Sequence, residues 1–159
     1  MRYDEGLLLK TLGLGAIAGA RSMAAPAALS RAAERGDVGG LEQTPFAALG
    51  SPGVSRALRL LAIGEMFVDK LPVAPSRTSP PPLLGRMASG AFVGSTLFVS
   101  GERRAVTGGV LGAVSALMGA YAAERLRLRT AAKLGIPDPV VALLEDGIVL
   151  VGAARLLRA

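Results

Sequence analysis

The chain has 159 residues, of which 51% are hydrophobic, 19% charged and 4% aromatic, and it includes 21 Gly but no Cys, His or Trp. This composition allows one domain and excludes a disulfide framework, a Cys or His metal site, a thiol nucleophile and a histidine base. The net charge of +6 predicts basic residues that flank apolar helices rather than a nucleic-acid surface, because no aromatic stacking pattern interleaves the arginines. We therefore expect no metal, no cofactor and no nucleic-acid partner.

Five apolar segments follow one another along the chain and predict the fold. They cover residues 7–29, 53–71, 83–100, 105–123 and 139–157. Each is close to the ~20 residues that an α-helix needs to cross a bilayer. The expected fold is all-α: a single polytopic transmembrane domain over residues 1–159, with about five Gly/Ala-rich helices.

The connectors between these segments predict the topology. Only residues 101–104 separate the third and fourth segments, so these two helices should form a tight antiparallel hairpin. Residues 125–139 are basic and end in Gly-Ile-Pro-Asp-Pro, which is typical of a loop. Lys and Arg are slightly more frequent on the side of the N-terminus, which predicts a cytoplasmic N-terminus and puts residues 31–44 across the membrane.

Pairs of glycines four residues apart recur in three of the segments. Residues at this spacing share a helix face, so each pair forms a groove where a second helix backbone can pack closely. The pattern predicts packing within one bundle and leaves open a homo-oligomer contact through residues 108–120. The expected helix-packing residues are Gly15, Gly19, Gly90, Gly94, Gly108 and Gly112.

Ionisable side chains inside the apolar segments mark the candidate site. A charge near the bilayer centre costs roughly 2.5–3.5 kcal/mol on insertion scales, so such side chains should face the bundle interior and pair. Helix geometry puts the carboxylates of the second and fifth segments within reach of Arg21. We predict an intramembrane charge cluster drawn from Arg21, Glu65, Asp69, Lys70, Glu145 and Asp146, with Asp69 and Lys70 nearest the interface.

Three interpretations of this cluster stay open. It is a polar clasp that only fixes helix register, or it is an ion, proton or anion site, since intramembrane charge is functional by default. The third interpretation is that the second segment is amphipathic and does not span, because Arg56 and Arg59 also lie in it.

The connector before the third segment is rich in proline and hydroxyl groups. Its side chains suggest contacts to a phosphate or another anion, because arginine and hydroxyl donors suit such groups. The alternative is a stiff spacer between helices. The residues of this candidate anion site are Ser76, Arg77, Thr78 and Arg86.

Several of these pieces together resemble a known family. They are Gly19-Ala20-Arg21, then Gly64-Glu65 followed by Asp69-Lys70-x-Pro72, and finally Leu143-Leu144-Glu145-Asp146. The chain resembles, over nearly its whole length, the bacterial integral membrane family catalogued as domain of unknown function 4126. The resemblance implies several spans and places the charge cluster on motif positions, but it implies no activity. The location expected is a bacterial inner membrane.

Two functions of different classes follow. The first is a small channel or transporter for an ion or anionic solute, in which Arg21 attracts anions and the carboxylates bind a cation or proton. The second is a non-transporting scaffold or accessory subunit, whose buried charges are only structural. An enzyme is not expected, because no nucleophile–base pair stands out.

Overall fold

The computed structural model describes residues 5–68, 78–134 and 138–158, and this part of the chain is all-helical, as predicted, with no strand. One turn of 3₁₀ helix, Ala47–Gly50, precedes α3. Two helical stretches, Pro80–Ser100 and Ala105–Thr130, are long and apolar enough to cross a membrane. The helices are α1 Glu5–Ala20, α2 Ala24–Glu34, α3 Pro52–Val68, α4 Pro80–Ser100, α5 Ala105–Leu134 and α6 Asp138–Arg158.

The first apolar segment differs from the expectation, because it is two helices and not one. α1 ends at Ala20, residues 21–23 form a turn, and α2 begins at Ala24. Pro26 is the physical reason that the sequence itself supplies. In a continuous helix Pro26 would lack an N–H for the carbonyl of Ser22 and its ring would clash with that carbonyl, whereas proline is tolerated in the first turn of a new helix.

The turn reverses the chain, so α1 and α2 form a hairpin. Asp37 and Val38, just beyond α2, line the same cavity as Gly6 and Leu7 near the start of α1. Both ends of the hairpin therefore lie at one end of the bundle, here called the Glu5 end. The turn lies about 24 Å from it, from the 16 residues of α1 at 1.5 Å per residue. The expectation that residues 31–44 lie opposite the N-terminus is thus wrong.

The inner layer of the bundle consists of α1, α4 and α5, which pack through their glycines. A Cβ added to Gly19 would overlap the carbonyl oxygen of Ala116, and one added to Gly94 would overlap that of Gly108. Backbones can approach this closely only where side chains are absent. The six glycines named from the sequence lie at these interhelical contacts: Gly15, Gly19, Gly90, Gly94, Gly108 and Gly112.

The glycine face of α5 packs against helices of the same chain. Residues 108–120 pack against α1 and α4 of the same chain. This agrees with the predicted packing within one bundle, and the homo-oligomer contact stays a prediction. α4 and α5 are antiparallel and are joined by residues 101–104.

The outer layer consists of α2, α3 and α6. α2 packs between α3 on one side and α6 on the other, while α3 otherwise contacts the 3₁₀ turn. α5 continues to Leu134, through residues that the sequence assigned to a loop. The loop expectation is wrong there, because Ala, Leu, Arg and Lys dominate residues 125–134 and all favour helix.

Candidate functional site at the turn between α1 and α2

The turn between α1 and α2 exposes backbone polar groups in the middle of the bundle. The last carbonyls of α1 and the first N–H groups of α2 have no partners within their own helices. Groups of this kind are costly to bury without hydrogen bonds. The side chains that approach the turn come from α3, α4 and α6, and each meets a different part of it.

Glu65 of α3 binds the part of the turn that leads into α2. Its Oε1 accepts hydrogen bonds from the backbone N–H of Ser22 at 2.7 Å and from the Ser22 hydroxyl at 2.9 Å. Its Oε2 accepts from the backbone N–H of Met23 at 2.8 Å. A carboxylate at a helix N-terminus is favoured by the helix dipole, so Glu65 both satisfies these donors and neutralises the positive end of α2.

Arg86 of α4 binds the other side of the turn. Its Nη1 donates to the carbonyl of Gly19 at 2.8 Å and to that of Ala20 at 2.5 Å. Its Nη2 lies 3.8 Å from Oε1 of Glu65. The guanidinium thus meets the negative end of α1 and also faces the carboxylate that caps α2. Ser89, on the same helix, donates its hydroxyl to the carbonyl of Ser22.

Arg21 and Asp146 form the innermost ion pair. The Nε and Nη2 atoms of Arg21 lie 2.7 and 2.6 Å from Oδ1 of Asp146. The side chains are 1% and 8% exposed, so the pair is withdrawn from solvent and is strengthened by the low local dielectric. This contact joins α6 to the turn, although the two residues lie 125 positions apart in the sequence. The neighbouring Glu145 is half-buried.

Two of the residues that the sequence grouped as an anion site lie in the described part of the chain, Thr78 and Arg86. Arg86 is buried and donates to the carbonyl of Gly19 at the end of α1. Thr78 donates its hydroxyl to Oε2 of Glu124 on α5 at 2.8 Å. The anion site itself stays a prediction. Four other predicted site residues lie outside the described residues: Asp69, Lys70, Ser76 and Arg77.

Sequence reasoning missed the partners on the turn itself. Ser22 and Met23 bind Glu65 through backbone N–H groups, and a pattern of side chains cannot predict such contacts. Ser89 binds the turn through its hydroxyl, and serine is too common in apolar helices to stand out. Pro26 was the available signal, because it marks a new helix start and hence a set of free N–H groups just before it. A helix start inside an apolar segment needs an acceptor, and Glu65 supplies it.

The arrangement can hold negative charge at a defined position. Two backbone N–H groups, a hydroxyl and a guanidinium converge on one place, and a carboxylate of the same chain now occupies it. Helix N-termini with such donors bind anions in general.

Comparison with known proteins gives one family. Neither the curated proteins nor the solved structures gave a match. The family model described as Domain of unknown function (DUF4126) matches residues 8–158, which include the hairpin, the turn and all three helices whose side chains bind it. The chain therefore belongs to this family.

Proposed function

We propose that the protein is a small multi-pass membrane channel or transporter for an anionic solute, with the turn between α1 and α2 as its binding element. In this proposal α3, α4, α5 and α6 cross a bacterial inner membrane. The hairpin of α1 and α2 enters from the Glu5 end and returns to it.

The distribution of polar and apolar side chains supports a lipid surrounding. Large apolar side chains are exposed on the outer helices, for instance Phe67 at 71% and Ile148 at 72%. The interior holds Arg21, Arg86 and Asp146 beside apolar side chains such as Phe98. A water-soluble protein buries its large apolar residues and exposes its charges, whereas lipid makes the reverse arrangement stable.

The single observation that carries the transport proposal is the carboxylate of Glu65 on the N–H groups of Ser22 and Met23. Interrupted helices that meet at mid-depth form substrate sites in many transporters, with helix N-termini facing anionic groups. Glu65 occupies the position that a solute anion would take. Its displacement would free both N–H groups for a solute anion while Arg86 stays beside them.

Flux in proteoliposomes tests this function. The purified protein is reconstituted, and uptake of chloride, phosphate and acetate is measured with and without a pH gradient. We expect uptake of at least one of these anions by the wild type. In Glu65→Gln and in Arg21→Ala, the rate of that uptake should differ from the wild-type rate by at least ~tenfold. The matched control is Glu102→Gln, which removes an exposed carboxylate far from the turn and should leave uptake unchanged. Folded variants with unaltered flux, or a wild type that moves none of these anions, would overturn the proposal.

A second candidate function is a non-transporting scaffold or accessory subunit. The observation that favours it is the exclusion of Arg21, which is 1% exposed and paired with Asp146. In that case the charges serve only to hold the hairpin. The same experiment separates the two candidates, because a scaffold loses stability in Glu65→Gln and shows no flux in any form.

A further inference from the structure

A groove runs along the outer face of α2, away from the turn contacts. It encloses a cavity of about 400 Å³ between α2, α3 and α6. α2 contributes the floor with Ala24, Ala27 and Ala28, and α3 and α6 contribute the walls. The walls carry larger apolar side chains, among them Ile63 and Leu150, which are 51% and 53% exposed. The groove therefore opens to the surroundings of the bundle.

One end of this groove is strongly basic. Arg31, Arg35, Arg59 and Arg158 line it at the Glu5 end, together with Asp37. Arg31 also pairs with Glu34 at 2.8 Å. The four guanidinium groups outnumber these two carboxylates, so the rim keeps a net positive charge. Arginine binds phosphate with two parallel hydrogen bonds, which makes such a rim suited to a phosphate group.

The length of the groove matches one leaflet of a bilayer. From Ala24 to Arg35 the floor extends about 16 Å along the helix axis at 1.5 Å per residue. Half of the ~30 Å hydrocarbon core is about 15 Å. A chain molecule with an anionic head at the rim would thus place its tail beside the alanines and reach the level of the turn.

We infer that this groove binds one phospholipid with an anionic headgroup, whose phosphate lies on the arginine rim and whose acyl chain lies along α2. The inference concerns a different site from the turn and does not depend on solute transport. Charge complementarity selects the occupant: an uncharged tail fits the alanine floor, and only an anionic head fits four arginines.

Fluorescence quenching tests the inference, because the chain has no native Trp. Ile63→Trp puts one indole on the groove wall. The variant is reconstituted in vesicles with brominated phosphatidylglycerol or brominated phosphatidylcholine as the quencher. We expect tighter association of the anionic lipid, by about fivefold for each arginine that engages it. Equal quenching by the two lipids would overturn the inference.

Two double variants on this background test the rim. Arg59→Gln with Arg158→Gln should remove most of the preference, while Arg59→Lys with Arg158→Lys should keep it. The matched control is Arg103→Gln with Arg104→Gln, which removes the same charge at the same end of the bundle, outside the groove. If this control lowers the preference equally, general surface charge is responsible and the site is refuted.

A final arm separates a lipid from a soluble anion. Inorganic phosphate is added to the vesicles with brominated phosphatidylglycerol, at an ionic strength matched with chloride. We expect unchanged quenching. Relief of quenching by phosphate alone would show that the rim takes the free anion and would overturn the assignment of a lipid. Thermal unfolding of each variant verifies that it is folded.

Discussion

Glu65 and Arg86 are charged side chains whose partners are mostly backbone atoms. Glu65 meets the N–H groups at the start of α2, and Arg86 meets the carbonyls at the end of α1. In each case the sign of the charge is opposite to that of the helix end. The two charges thus have a structural role here as well as the proposed functional one, and the two roles can be measured separately.

Replacement of Arg86 tests the structural role. Arg86→Met keeps an extended apolar side chain but leaves the carbonyls of Gly19 and Ala20 without their donor. We expect a loss of roughly 1–3 kcal/mol in the free energy of unfolding, the usual penalty for unsatisfied buried groups. Denaturant titration in detergent micelles measures it. The control Arg104→Met removes an exposed arginine and should stay within about 0.5 kcal/mol of wild type; an equal loss in both variants would contradict the assigned role.

Among the helices, the hairpin of α1 and α2 depends on close packing of α1 on α5. Gly19 sits where the two backbones touch, so an added methyl group must push them apart. Gly64 on α3 is the opposite case, since a Cβ there meets nothing within 4 Å. Both glycines lie within helices, but only Gly19 has a neighbouring backbone in contact.

This difference gives a paired prediction. Gly19→Ala should destabilise the protein by about 1–3 kcal/mol, because overpacking forces backbone shifts. Gly64→Ala should be neutral or stabilising by about 0.5–1 kcal/mol, because alanine favours helix over glycine. Unfolding titrations of both variants under one condition decide the matter. Should Gly19→Ala prove as harmless as Gly64→Ala, the close contact with Ala116 would be refuted.

For the whole molecule, the hairpin changes which parts of the chain share a side. Glu5, the residues after α2, and the connector between α4 and α5 all belong to the Glu5 end. A first segment that crossed the membrane would separate the N-terminus from residues 31–44. The number of crossings in the proposed topology is therefore even, with four helices and one re-entrant hairpin.

Cysteine labelling tests this topology, because the chain has no native Cys. Single variants Glu5→Cys, Gly39→Cys and Glu102→Cys should react with a membrane-impermeant maleimide from the same side of sealed vesicles. Arg129→Cys, near the far end of α5, should react only from the other side and serves as the control. If Gly39→Cys reacts from the same side as Arg129→Cys, the first segment crosses the membrane and the re-entrant hairpin is refuted.

Much of the fold was accessible from the sequence. α3, α4, α5 and α6 begin within three residues of the predicted apolar segments, because hydrophobicity and proline mark these starts directly. The glycine spacing also pointed to the contacts of the inner layer. The reversal at residues 21–23 was missed, since its capping groups come from three distant parts of the chain. Hydrophobicity cannot report such a tertiary match, although Pro26 hinted at it.

The side chains that hold the turn between α1 and α2 are synthesised after the hairpin itself, and this order has a consequence for its stability. Arg21 and its partner Asp146 are 125 residues apart. The hairpin is synthesised first, yet its stabilising side chains arrive with α3, then α4, and finally α6. In a nascent or truncated chain without α6, the buried guanidinium of Arg21 would lack the carboxylate of Asp146. The hairpin would then be less stable in its buried position and would tend to move toward the surface. Stable burial of the hairpin therefore depends on a contact that forms only after Asp146 has been synthesised.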